Sequence, residues 1–74
     1  MRMSGKEFRR IRNAMGLSQE KLAILMGVGG GSRTVRRWET EERKISLVVA
    51  YRIESLARNR RIKLEGDIEE EGNE

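Results

Sequence analysis

The sequence predicts an all-α fold: a compact bundle of four to five helices followed by a disordered acidic tail. Apolar residues recur at helical spacing as far as residue 60, and serine or glycine stands where apolar segments start or stop. Proline is absent, so nothing forces a kink. A chain of 74 residues holds one small domain, predicted at residues 1–61, with the tail at residues 62–74.

The first predicted helix runs from Gly5 to Met15. Ser4 and Glu7 stand in the capping-box relation, in which the serine hydroxyl accepts from an amide and the carboxylate reaches back. Its buried stripe is predicted at Phe8, Ile11 and Met15. The basic side chains of this helix are expected to point elsewhere: Arg9, Arg10 and Arg12.

The second predicted helix runs from Gln19 to Met26, with Ser18 as its N-cap and Gly27 ending it. Three consecutive glycines, Gly29–Gly31, follow shortly afterwards. Each would cost about 1 kcal/mol relative to alanine inside a helix. They therefore predict a break before the next helix.

The third predicted helix runs from Arg33 to about Thr40, with Ser32 as its N-cap. Val35 and Trp38 are three residues apart and are expected to face the core together. The indole is therefore expected to pack in the core.

The fourth predicted helix runs from Leu47 to about Arg60, with Ser46 as its N-cap. Its main apolar stripe is Val49, Ile53 and Leu56. Further apolar residues, Leu47, Val48 and Tyr51, exceed what a monomer of this size clearly needs. They either form a two-fold contact in a homodimer or belong to the monomer core.

Charge is distributed unevenly along the chain. Residues 1–64 hold all sixteen basic and six acidic side chains, a balance of +10, whereas residues 65–74 hold six acidic and no basic ones. A body this basic favours a polyanionic partner, because cations that neutralise phosphates release counterions. The alternative is a solvated surface that keeps a small protein in solution.

Several classes of function are excluded by composition. The chain has no cysteine and no histidine, so disulfides, zinc fingers and thiol or imidazole catalysis are ruled out. We expect no enzyme, cofactor, metal or small-molecule substrate. With 36% hydrophobic and 38% charged residues, we expect no membrane span or signal peptide, and a cytoplasmic protein.

Two short helices joined by a glycine-containing turn, within a basic helical body, predict a helix-turn-helix. In this geometry the second helix of the pair enters the major groove of DNA, where arginine pairs with guanine O6 and N7. The predicted third helix carries suitable side chains at its start: Ser32, Arg33, Arg36 and Arg37. The alternative for these arginines is a solvated basic face.

Three segments carry a resemblance to a known family: Gly16-Leu17-Ser18-Gln19-Glu20-Lys21-Leu22-Ala23, then Gly27-Val28, then Arg33-Thr34-Val35-Arg36-Arg37-Trp38-Glu39. In these segments the chain resembles the lambda-repressor-like (Cro/XRE-type) helix-turn-helix family over about residues 5–58. The resemblance implies a transcriptional regulator that binds double-stranded DNA as a homodimer on a palindromic operator.

The resemblance also implies roles for individual residues. Base-reading and groove-facing positions fall on Ser32, Arg33, Arg36 and Arg37. Phosphate-contacting positions fall on Gln19, Thr34, Arg43 and Lys44. Gln19 in this family contacts a phosphate or braces the recognition helix, and Glu39 braces the bundle. The alternatives are a helix-start residue without a partner for Gln19 and Thr34, and a solvated loop for Arg43 and Lys44.

The glycine run offers one more phosphate contact. Backbone amides at the start of a helix can bind phosphate, so the Gly31 amide is a candidate contact to DNA. A nucleotide-binding P-loop is not predicted, because no Lys-Ser/Thr pair follows the glycines and no strand precedes them.

The chain departs from the family pattern in two places. The turn before Arg33 is about two residues longer than usual, as in some antitoxin repressors of the superfamily. Glu41 stands where the family often has glycine, and Ile45-Ser46 where relatives have an apolar residue and proline. The changes at Glu41 and at Ile45-Ser46 both affect the loop after the third helix, and neither removes a groove-facing residue.

Two functions follow from the sequence. The first is a sequence-specific repressor or autoregulator. The second is an antitoxin, or another protein-interaction module, whose acidic tail occupies a basic toxin surface and whose DNA binding is secondary. The tail has two further interpretations: a cover for the basic body, or an unstructured solubilising segment, which the sequence favours.

Overall fold

A computed structural model describes residues 3–60, which form four α-helices and contain no strand. The helices are α1 (Gly5–Ala14), α2 (Gln19–Met26), α3 (Ser32–Thr40) and α4 (Leu47–Asn59). The all-α prediction is confirmed, with four helices in this part of the chain. The predicted tail, residues 62–74, lies outside the described residues.

Serine side chains cap three of the four helices, as the sequence predicts. The hydroxyls of Ser4, Ser18 and Ser46 each accept a hydrogen bond from the amide three residues on, at 3.0 to 3.2 Å. The prediction for α3 is wrong by one residue. Gly31 is its N-cap, and the Gly31 carbonyl accepts from the Thr34 amide at 3.1 Å, which draws Ser32 into the helix.

All four helices contribute to one core. Phe8 of α1 and Trp38 of α3 meet near its centre, with ring centroids 5.6 Å apart and planes tilted by 54°. Trp38 is only 5% exposed, so its predicted packing role is confirmed. The remaining buried apolar side chains are Ile11, Leu22, Ala23, Met26, Val35, Ile45, Ile53 and Ala57.

The apolar surplus of α4 lies outside this core. Leu47, Val48 and Tyr51 are 71%, 67% and 69% exposed, so the alternative that they fill the monomer core is wrong. Tyr51 also borders an open groove of about 280 Å³ between α2 and α4, whose walls include Leu25 and Leu56. None of the helices in residues 3–60 is both long and apolar enough to cross a membrane.

Candidate nucleic-acid interface

One side of α3 is apolar and buried, and the other is basic and exposed. Val35 is fully buried, with Trp38 beside it in the core. The opposite side of the helix presents the predicted base-reading residues to solvent: Ser32, Arg33, Arg36 and Arg37. With 3.6 residues per turn, these four positions share one face of a single helix. The structure thus brings together three guanidinium groups on an anchored helix.

The turn into α3 is closed by a threonine hydroxyl. Thr34 Oγ1 donates to the Gly29 carbonyl at 2.6 Å, and Thr34 is only 8% exposed. Gly30 has φ +87°, and a Cβ there would lie 2.3 Å from Thr34 Oγ1. The glycine run therefore lets the backbone pass over this hydroxyl. This geometry does not favour Thr34 as a phosphate contact, because its hydroxyl faces inward.

The start of α3 is open at the backbone. Gly31 caps the helix without any side-chain hydrogen bond, at φ +59°. A Cβ on Gly31 would meet no atom within 4 Å. No side chain therefore caps the first amides of α3, and uncapped amides at a helix start are the groups that a backbone contact to phosphate uses.

Glu39 joins three helices at the buried edge of α3. Its carboxylate accepts from Arg12 Nε of α1 at 2.5 Å and from Arg12 Nη2 at 3.2 Å. It also accepts from Gln19 Nε2 of α2 at 3.0 Å. The remaining Arg12 nitrogen, Nη1, donates to the Leu17 carbonyl at 2.9 Å. Glu39 thus braces the bundle. Gln19 braces α3 through its hydrogen bond to Glu39, which is one of the two roles that the resemblance implies for it.

Arg12 does not lie where the sequence predicts. It was expected to point away from the core, yet Arg12 is only 9% exposed. Its side chain and that of Glu39 are 11% and 5% exposed, so the ion pair is largely desolvated. A signal was present, because Arg12 lies four residues after Phe8 and three before Met15, on the predicted apolar stripe.

A second contact, between the start of α1 and the residue after α3, was also not predicted from the sequence. Glu41, immediately after α3, has φ +64°, the left-handed conformation that usually favours glycine. Its carboxylate accepts from the Gly5 amide at 2.6 Å and so caps the N-terminus of α1. The departure from the family pattern at Glu41 was visible in the sequence, but its partner was not.

A sequence model described as Aca2/YdiL-like matches residues 3–74. The chain belongs to the Aca2/YdiL-like family. Membership indicates a small regulatory or antitoxin-type protein and is consistent with a helix-turn-helix architecture. Searches of curated proteins and of solved structures give no significant match.

In this Aca2/YdiL-like protein, two further cations follow the arginine face. Arg43 and Lys44 are exposed in the loop after α3. The loop folds back, since the Arg43 amide donates to the Arg37 carbonyl at 3.2 Å. The backbone of Arg43 thus lies next to the C-terminal turn of the basic helix.

Within residues 3–60 of this Aca2/YdiL-like protein, no cluster of acidic side chains is arranged to hold a metal ion. The whole chain lacks the usual nitrogen and sulfur ligands, histidine and cysteine. Besides the carboxylate of Glu42, the exposed groups at the α3 surface include guanidinium, ammonium and hydroxyl groups. These bind anions and hydrogen-bond acceptors.

Proposed function

We propose that this chain is a sequence-specific DNA-binding regulator of the Cro/XRE type, acting as a repressor or autoregulator. This proposal rests on the two different sides of α3. Val35 and Trp38 fix one side in the core, while Arg33, Arg36 and Arg37 are exposed on the other. A major groove about 12 Å wide accepts one helix, whose arginines can pair with guanine.

Contacts to DNA divide into two classes in this proposal. Base edges are read by Ser32, Arg33, Arg36 and Arg37. Phosphates are bound by the Gly31 amide and by Arg43 and Lys44. Gln19 remains a candidate as well, because only one hydrogen bond of its side chain occurs within residues 3–60, and its Nε2 carries a second N–H. Thr34 is not among the proposed phosphate contacts, because its hydroxyl donates to the Gly29 carbonyl within the turn.

We further propose a homodimer that uses the exposed side of α4. Leu47, Val48 and Tyr51 lie within about one helical turn, each at least 67% exposed, and Leu25 of α2 adds to the same surface at 45%. A two-fold dimer places two copies of α3 on half-sites about 34 Å apart, or a multiple of it. Apolar surface on α4, away from the arginines of α3, suits this arrangement.

Dimerisation is tested by sedimentation velocity on the full chain at micromolar concentration. The wild type should sediment as a dimer. Val48→Glu, which places a charge on the exposed apolar surface of α4, should sediment as a monomer with unchanged helical circular dichroism. A wild-type monomer in the presence and absence of operator DNA would contradict the proposal.

DNA recognition is tested by selecting binding sites from a random duplex library with the full chain. Arg33→Ala and Arg37→Ala should each weaken binding to the selected site by about 1–3 kcal/mol and relax base preference. Arg60→Ala removes the same charge from the end of α4 and is the matched control. Recovery of no enriched sequence, or full affinity and selectivity in both α3 variants, would contradict the proposal.

The second candidate function is that of an antitoxin with secondary DNA binding. Membership in a small regulatory or antitoxin-type family favours it. The six acidic residues of segment 65–74 would provide the surface for a basic toxin. Removing residues 65–74 tests whether this segment binds a toxin or only keeps the protein in solution. An antitoxin should lose its toxin partner and keep operator affinity, whereas a solubilising segment should change neither.

A further inference from the structure

Three glutamates occur within four residues at the C-terminal end of α3, and the carboxylates of two of them accept hydrogen bonds from other helices. Glu39 accepts from Arg12 and Gln19, and Glu41 accepts from the Gly5 amide. The third, Glu42, points to the basic face instead. Its Oε1 lies 3.8 Å from Nε of Arg37.

The loop geometry maintains this neighbourhood. The Arg37 carbonyl accepts both from the Arg43 amide at 3.2 Å and from Thr40 Oγ1 at 3.3 Å. The chain therefore turns back over the last turn of α3 and carries Glu42 beside Arg37. Both side chains of the pair are about half exposed, 49% for Arg37 and 60% for Glu42, so they are accessible to a ligand.

We propose that Glu42 is a specificity-determining residue, which positions Arg37 for base reading and weakens binding to phosphates of unrelated DNA. This inference rests on the proposed DNA-binding function. The Arg37 atom nearest to Glu42 is Nε, so the carboxylate does not face the outer edge of the guanidinium, which is formed by Nη1 and Nη2. Two adjacent N–H donors are what a bidentate contact to guanine O6 and N7 requires.

The same carboxylate opposes non-specific binding. DNA of any sequence presents phosphates, and a negative charge beside the arginine face is repelled by all of them. On the correct site this repulsion is offset, because Arg37 is already oriented for the base. On other sequences it is not offset. Glu42 therefore raises the ratio of specific to non-specific affinity, although it lowers total positive charge.

The test compares Glu42→Gln with the wild type on the selected operator and on a scrambled duplex of equal length. We expect the variant to bind the scrambled duplex about two- to five-fold more tightly, the range typical of one exposed charge pair. Affinity for the operator should change less, so the specificity ratio should fall. Glu54→Gln, which removes the same charge from α4, should leave the ratio unchanged.

A double-variant cycle separates positioning from simple charge. In an Arg37→Ala background, Glu42→Gln should no longer change the specificity ratio, since no guanidinium remains to be oriented. Equal tightening of both duplexes by Glu42→Gln, or the same ratio change in the Arg37→Ala background, would overturn the inference. If the wild type prefers no sequence, the proposed function itself fails, and this result is distinct from the others.

Discussion

The backbone amide of Gly5, the first residue of α1, donates a hydrogen bond to the carboxylate of Glu41, which directly follows α3; the N–Oε2 distance is 2.6 Å. The two helix ends also touch through their backbones. A Cβ on Gly5 would lie 2.3 Å from the Glu39 carbonyl oxygen. The start of α1 therefore rests directly on the end of the basic helix and fixes its position.

Glu41 combines an unfavourable backbone conformation with a favourable hydrogen bond. Glu41→Ala and Glu41→Gly both lose the bond to Gly5, but only glycine relieves the left-handed φ of 64°. We therefore expect Glu41→Gly to be more stable than Glu41→Ala by about 1 kcal/mol. Chemical denaturation of both variants measures this difference. Equal stabilities would contradict the assigned conformation.

The buried ion pair between Arg12 and Glu39 should dominate polar stabilisation. Glu39→Gln leaves the largely desolvated Arg12 charge without a carboxylate, which typically costs about 3–5 kcal/mol. In a small domain without disulfides, this loss approaches the whole stability. We expect a strongly lowered or absent cooperative thermal transition. Glu20→Gln, an exposed carboxylate in the first turn of α2, is the control and should shift stability by less than about 1 kcal/mol.

Substitutions of Thr34 test whether its hydroxyl stabilises the fold or contacts DNA. Thr34→Val keeps the shape but loses the 2.6 Å bond to the Gly29 carbonyl, so it should lower the free energy of unfolding by about 1 kcal/mol. Thr34→Ser retains the hydroxyl and should preserve the turn. If Thr34→Val instead weakened DNA binding at unchanged stability, the hydroxyl would be a phosphate contact after all.

Arg43 should act on all DNA sequences alike. Arg43→Ala removes an exposed cation next to α3, so binding to operator and scrambled DNA should weaken by the same factor. The slope of log affinity against log salt should fall by about 1. Titrations at several salt concentrations measure this slope, with Arg60→Ala as the control. A loss confined to one sequence would make Arg43 a base-reading residue.

The helices, most of the core and the composition of the basic face can be predicted from the amino-acid sequence. These features depend on short-range patterns. A serine caps the amide three residues on, apolar stripes repeat every three or four residues, and four positions within six residues share a face of one helix. The start of α3 was the exception, because Gly31 replaces a side-chain cap with backbone hydrogen bonds.

The partners of the polar side chains, in contrast, depend on contacts between distant parts of the chain. Arg12 and Glu39 are 27 residues apart in sequence, and Gly5 and Glu41 are 36 apart. No local pattern couples such positions, since their contact depends on how α1 packs against α3. The docking of α4 on the other helices likewise leaves Leu47, Val48 and Tyr51 outside the core. Local spacing determines which face a residue occupies, whereas the docking of helices determines what that face meets.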